Sequence, residues 1–261
     1  RSRGLGDVYK RQIYIYRYGS LCEPDIIDAF KHIGLEVYEE NAEVYNKNML
    51  PSQAASIASA TLAKEKYAFA FTINFFPWLS DVCQLLNITY ISLIVDSPVL
   101  ELYSNAISNS VNRIFLFDKM LFNEFKQYNK EHIFHIPLAA NTSRTDELIS
   151  HASDSDKKKY ASDISFIGST YQEKCPFNNA VLSDYERGFV DGIINSQLEI
   201  YGFNFIESML TDEMADILLA KIPDHYVFPA GFRANNKALV AQYYFCLLYT
   251  SPSPRDRTRS R

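Results

Sequence analysis

The stretch Ile88-Thr89-Tyr90-Ile91-Ser92-Leu93-Ile94-Val95-Asp96-Ser97-Pro98 decides the fold. It is a short apolar run, rich in β-branched and aromatic residues, and it stops abruptly at Asp96-Ser97-Pro98. Such a run suits a strand buried on both faces, in the middle of a parallel sheet. Pro98 cannot donate to a ladder and turns Ser97 away from helical backbone, so the strand ends there. Asp96 and Ser97 then stand at the carboxyl end of a central strand, the edge where ligands bind in open α/β sheets.

Outward from this run, strands and helices alternate. Ile13 to Tyr16 is a strand, followed by Arg17-Tyr18-Gly19-Ser20 and a helix opened by Glu23-Pro24-Asp25. Proline near the first position and acids in the first turn both mark a helix start. Ile26, Ile27, Phe30 and Ile33 give that helix an apolar face, Gly34 ends it, and Leu35 to Tyr38 is the next strand. A helix from Pro51, a strand from Tyr67 to Ile73 and a helix from Trp78 to Leu86 lead into the quoted run. Beyond it come a short helix over Leu100 to Ile107, a strand over Arg113 to Phe117, a helix over Lys119 to Tyr128 and a strand over Ile133 to Ile136. The alternation predicts an α/β fold: a Rossmann-like, doubly wound parallel sheet with helices on both faces.

The two ends break this pattern. Gly4 to Gln12 and Cys246 to Asp256 resemble translated sequencing adapter, and the ends that hold them, 1–12 and 246–261, are basic and lack any core periodicity. Residues 1–12 and 246–261 are therefore expected to be non-native. The remainder divides into a Rossmann-like domain over 13–140, a polar linker over 141–162, and the truncated, largely helical start of a second Rossmann-like domain over 163–245. There, Asp163 to Ile167 is expected as a strand running into Gly168-Ser169-Thr170, repeating the layout of Tyr16 to Ser20.

Charge narrows the function classes. The chain holds 26 basic and 31 acidic residues, and each adapter-like end holds four basic and one acidic, which leaves 18 and 29 between them and a formal charge of −11. So acidic a segment argues against nucleic acid or an anionic membrane as the partner. The many Tyr and Phe are core residues on this reading, because a base-stacking platform wants basic neighbours. No apolar run approaches the ~18 residues of a membrane span. Cys22, Cys83 and Cys175 are too few and too far apart for a disulfide framework or a zinc site, and suit reduced thiols in the cytoplasm. His132 and His135 flank a predicted strand, and no metal site is expected there.

Asn74, Asp96, Ser97 and Asp118 all follow predicted strands, so a parallel sheet gathers them on one edge. Asp96 is the candidate catalytic residue, a general base toward an acceptor hydroxyl, or else the N-cap of the next helix. In the loop Arg17 to Ser20, Gly19 lets backbone N–H groups approach an anion at the next helix, or simply makes a tight turn. The loop is neither Gly-x-Gly-x-x-Gly nor a P-loop. Gly168 and Ser169 present the same alternatives, diphosphate or turn, in the second unit. Tyr18, Gly19, Ser20, Asn74, Ser97, Gly168 and Ser169 are the candidate substrate-binding positions.

Four segments share a family likeness: Tyr16-Arg17-Tyr18-Gly19-Ser20, Ser97-Pro98-Val99-Leu100-Glu101-Leu102-Tyr103, Arg113-Ile114-Phe115-Leu116-Phe117-Asp118-Lys119 and Asp163-Ile164-Ser165-Phe166-Ile167-Gly168-Ser169. In this order they resemble the N-terminal domain of CgeB-type, spore-maturation-protein-like glycosyltransferases, over nearly all of Ile13 to Phe245. The resemblance implies a GT-B arrangement, two Rossmann-like domains with the active site between them. It implies a nucleotide-sugar donor held by the C-terminal domain, an acceptor contacted by the N-terminal one, and no resident cofactor or metal. The donor-binding loops of that family lie downstream of Phe245, so this chain alone is expected to be inactive. The competing expectation is a non-catalytic, flavodoxin-like module that binds or senses a small molecule. An acidic cluster after the first strand, which a phospho-receiver needs, is replaced here by Arg17-Tyr18.

Overall fold

Six short strands pair in parallel in the order β2-β1-β3-β4-β5-β6. They are β1 (Gln12–Tyr16), β2 (Glu36–Glu40), β3 (Ala70–Ile73), β4 (Tyr90–Ile94), β5 (Asn112–Leu116) and β6 (Ile133–His135). The computed structural model describes residues 12–165, 177, 180–200, 203–223, 225–233 and 235–245. The chain forms two compact units, Arg1–His151 and Ala152–Arg261, and the sheet belongs to the first. The expected α/β, Rossmann-like, doubly wound sheet is what the first unit contains.

The helices of this unit are α1 (Glu23–His32), α2 (Ala42–Tyr45), α3 (Pro51–Leu62), α4 (Pro77–Leu86), α5 (Lys119–Phe125) and α6 (Thr142–His151). Pro24 sits in the first turn of α1, and prolines open α3 and α4, where a missing N–H costs nothing. Asn87 ends α4 in the left-handed conformation (φ 54°). Asp118 caps α5, its carboxylate accepting from the N–H groups of Met120 at 2.7 Å and Leu121 at 3.4 Å. The helix expected over Leu100 to Ile107 is two 3-10 turns, Leu100–Tyr103 and Asn105–Ser108. Ser104 divides them, and its hydroxyl accepts from the Ala106 N–H.

The strand order reverses between β1 and β3: the chain winds one way to β2 and the other way through β3 to β6. Right-handed crossovers then put α1 on one face and α3, α4 and α5 on the other. On the α1 face, Ile13, Ile15, Phe71 and Ile73 pack with Ile27, Ile26 and Phe30. On the other face lie Tyr14, Tyr16, Tyr90 and Asn112, the last accepting the Ser80 hydroxyl of α4 at 2.7 Å.

This asymmetry corrects the reading of the central strand as buried on both sides. In β4, Tyr90, Ser92 and Ile94 are fully buried, while Ile91 and Leu93, and Val95 just after the strand, are only partly covered. β5 alternates the same way. The half-covered residues face the α1 side, which has a single crossover helix to cover the six strands.

The first unit continues to His151, so it takes in α6 from the segment read as a linker. The described residues of the second unit are mainly helical: α7 (Asp154–Tyr160), α8 (Asp184–Glu199), α9 (Ile206–Met209), α10 (Asp212–Lys221) and α11 (Asn236–Ala238). Ser153 and Ser183 open α7 and α8 with capping boxes, and Thr211 caps α10 through the Met214 N–H. Val190, Ile206, Leu218, Leu239 and Phe245 are among its buried residues. Of the expected strand Asp163 to Ile167, the first three residues are bend and coil and the rest lie outside the described residues.

Candidate functional site

The β1–α1 turn is held by a carboxylate of the protein itself. Glu23, the first residue of α1, is almost fully buried, and its Oε1 accepts from the backbone N–H groups of Tyr18 at 2.9 Å and Gly19 at 3.1 Å. Its Oε2 accepts from Arg17 Nε at 3.1 Å. Arg17 also reaches Glu39 at 2.7 Å, and Lys31 joins Glu39 at 3.1 Å. Gly19 has φ +93°, and a Cβ there would stand 2.8 Å from Lys47 Nζ, which donates to the Tyr18 carbonyl. Ser20 stays in the helix start: its hydroxyl accepts from the Cys22 N–H at 3.4 Å and its carbonyl from Glu23 N at 3.2 Å. The expectation that Gly19 opens its turn to an outside anion is therefore corrected: Glu23 fills that place.

Asn74 joins the ends of three strands. It follows β3 in the left-handed conformation (φ 56°), which Asn tolerates better than most residues. Its Oδ1 accepts from the Val95 N–H at 3.1 Å, at the end of β4. Its Nδ2 donates to Asp96 Oδ2 at 2.6 Å and to the Tyr18 hydroxyl, beyond β1, at 3.0 Å. One N–H donor and one carboxylate fix which way round the amide lies. Beneath it, Phe76 N donates to the Tyr90 hydroxyl at 3.0 Å, Tyr90 meets Thr72 Oγ1 at 2.6 Å, and Thr72 donates to the Asn74 carbonyl at 2.5 Å. This chain of bonds sets the β3–α4 loop from below.

Tyr18 and Asp96 line a cavity of about 880 Å³ on the α1 side of the sheet. Its other walls are α1, the partly covered Leu93 and Val95, and the returning segment Ile136 to Ser143. That segment is clasped to α1: Asp25 accepts from Asn141 Nδ2 at 3.2 Å and pairs with Arg144 at 3.2 Å. Burial, with the Asp96 charge adding to it, pushes the Tyr18 phenol above its ordinary value, so it remains a neutral O–H. Asp96 Oδ1 has no partner among the described residues. A neutral donor and an anionic acceptor thus stand together, a pairing that suits a ligand hydroxyl, which can accept from one and donate to the other.

No family model matches the chain, and no curated protein matches it.

Of the expected site residues, Tyr18, Asn74 and Asp96 come together, and Gly19 and Ser20 line the same cavity. Asp96 is a partner of Asn74 and not a helix cap. Ser97 turns to Asp118, donating to its Oδ2 at 2.9 Å, and is not part of the cavity lining. Gly168 and Ser169 lie outside the described residues. Sequence reasoning missed Glu23 as the partner of the turn, and it missed the 136–143 wall. An acid in the first turn of a helix is too common to announce that it bends back onto the preceding loop. Among the described residues no three His, Cys, Asp or Glu side chains group as metal ligands, and no helix is long and apolar enough to cross a membrane.

Proposed function

We propose that the first unit is the acceptor-binding lobe of a cytoplasmic GT-B-type glycosyltransferase of the CgeB kind, using a nucleotide-sugar donor and no resident cofactor. One observation supports this above the others: Tyr18 and Asp96 are tied side by side through Asn74, at the carboxyl edge of the sheet and beside the point where its strand order reverses. In this reading an acceptor hydroxyl accepts from Tyr18 and donates to Asp96. As its oxygen bonds the anomeric carbon of the donor sugar, Asp96 takes the proton and the nucleoside diphosphate leaves. General-base help of this kind is worth about 10²–10⁴-fold. Donor binding falls to the second domain of that architecture.

The test is sugar transfer by the full-length gene product, followed with labelled nucleotide-sugars and a panel of glycan acceptors. The expected result is transfer that Asp96→Asn lowers by about 10²–10⁴-fold, with donor binding kept. A folded full-length protein that transfers from no common donor overturns the proposal.

A second reading, a non-catalytic small-molecule module, draws on the sheet itself. The order of the first five strands, 2-1-3-4-5, is that of flavodoxin-like proteins. Ligand binding in the cavity with no turnover by the full-length protein is the outcome that favours it.

A further inference from the structure

We infer that the cavity takes an uncharged or amine-bearing polyol and rejects phosphorylated ligands, because Glu23 occupies the place a ligand phosphate needs. The polyol half rests on the acceptor-lobe reading above; the exclusion of phosphate does not.

In doubly wound folds the turn after the first strand and the start of the next helix form a ready anion site, with N–H groups aimed at the ligand. Here the corresponding N–H groups, those of Tyr18 and Gly19, are both taken by Glu23, and so is the Nε of Arg17, the cation at that turn. Glu23 is only 2% exposed, so a phosphate cannot displace it without taking its charge out of a paired, buried position. The charges on the cavity lining act the same way: Asp25, Asp28 and Asp96 line it, with His32, and no Lys or Arg among the described residues does. The basic groups nearby already have partners, Arg144 the lining carboxylate of Asp25, and Lys47 the Tyr18 carbonyl. A phosphate entering here meets carboxylates, and finds the N–H pair of the β1–α1 turn already taken. An ammonium or a hydroxyl meets Asp96 Oδ1, and the apolar side of a sugar ring has Leu93, Val95 and Ile136 to lie against.

The experiment follows amide NMR shifts of the ¹⁵N-labelled chain while methyl glucoside, glucosamine, glucose 1-phosphate and UDP are added in turn. The expected result is shifts around Tyr18 and Asp96 with the first two, at least tenfold weaker binding of glucose 1-phosphate, and no change there with UDP. A second arm uses Glu23→Ala, which vacates the turn and frees the Nε of Arg17, while its pairing with Glu39 remains. Pyrophosphate is expected to raise the melting temperature of this variant and shift Gly19, and to do neither in the wild type. If Glu23→Ala does not fold, the wild-type titration decides alone. UDP or pyrophosphate shifting Tyr18 and Gly19 of the wild type as strongly as glucosamine overturns the inference. Sugar transfer by the full-length protein with a cavity silent to methyl glucoside and glucosamine also overturns it, and leaves the acceptor-lobe reading standing. Sugar binding in the cavity without transfer does the reverse.

Discussion

Asn74 donates to Asp96 at 2.6 Å across the junction of β3 and β4, and this bond sets the direction of the Asp96 carboxylate. Asn74 does so from a left-handed backbone. The two properties are separable by substitution. Asn74→Gly keeps the backbone comfortable and loses the amide bonds; Asn74→Ala loses both. The alanine variant is expected to be less stable than the glycine one by about 1 kcal/mol in urea unfolding, the cost of a Cβ in that conformation. Both should lose sugar binding at the cavity alike. Equal stability of the two variants would mean the backbone relaxes there.

Tyr90 tests the support beneath the loop. Its hydroxyl is fully buried and carries the link between Phe76 and Thr72. Tyr90→Phe leaves the Phe76 N–H without its acceptor in a dry place, at a cost of about 1–3 kcal/mol. Faster hydrogen exchange of the Phe76 amide, with exchange in β6 unchanged, is the local signature.

The cluster under the β1–α1 turn makes a pH prediction. Burial raises the Glu39 carboxyl, but hydrogen bonds and charge from Lys31 and Arg17 outweigh it and hold the group below the usual value. A folded value below the unfolded one, near 4.3, gives stability that is full above that pH and is lost as pH falls through the folded value. Glu39→Gln is therefore expected to be less stable than wild type at pH 7, with the gap closing below about pH 4. Glu39 and its partners are partly exposed, so the gap is modest and shrinks in salt.

Glu101 should behave in the opposite sense. Burial raises its carboxyl above the ordinary value, only partly offset by a hydrogen bond to its own backbone. Its contribution to stability is full below the unfolded value and falls away as pH rises through the folded one. Glu101→Gln is expected to be more stable than wild type at pH 7 and to show no gain at about pH 4. Urea midpoints at the two pH values check both carboxyls together.

The sheet was legible because most of its strands carry a short apolar run that ends in a polar or proline break. Ile88 to Pro98 placed Asp96 at the carboxyl end of β4, and the end of β3 placed Asn74 beside it. The bonds that join them were not legible, since Tyr18 and Asn74 are 56 residues apart and only the strand order brings them together. The half-covered face of β4 was hidden for a related reason. Leu93 and Val95 are as apolar as Ile94, and what distinguishes them is how many crossover helices lie on each side. Glu23 was seen as a first-turn acid but not as an internal ligand, because its partners are backbone N–H groups, which carry no side-chain signature.

The Glu23 contact also bears on how a ligand meets this loop. Its two backbone amides are anchored during folding, so the entropy of fixing Tyr18 is lost once, when the chain folds, and not again at each encounter with a ligand. Recognition at this edge then rests on a stiff loop whose shape was settled in advance by an acid from its own helix.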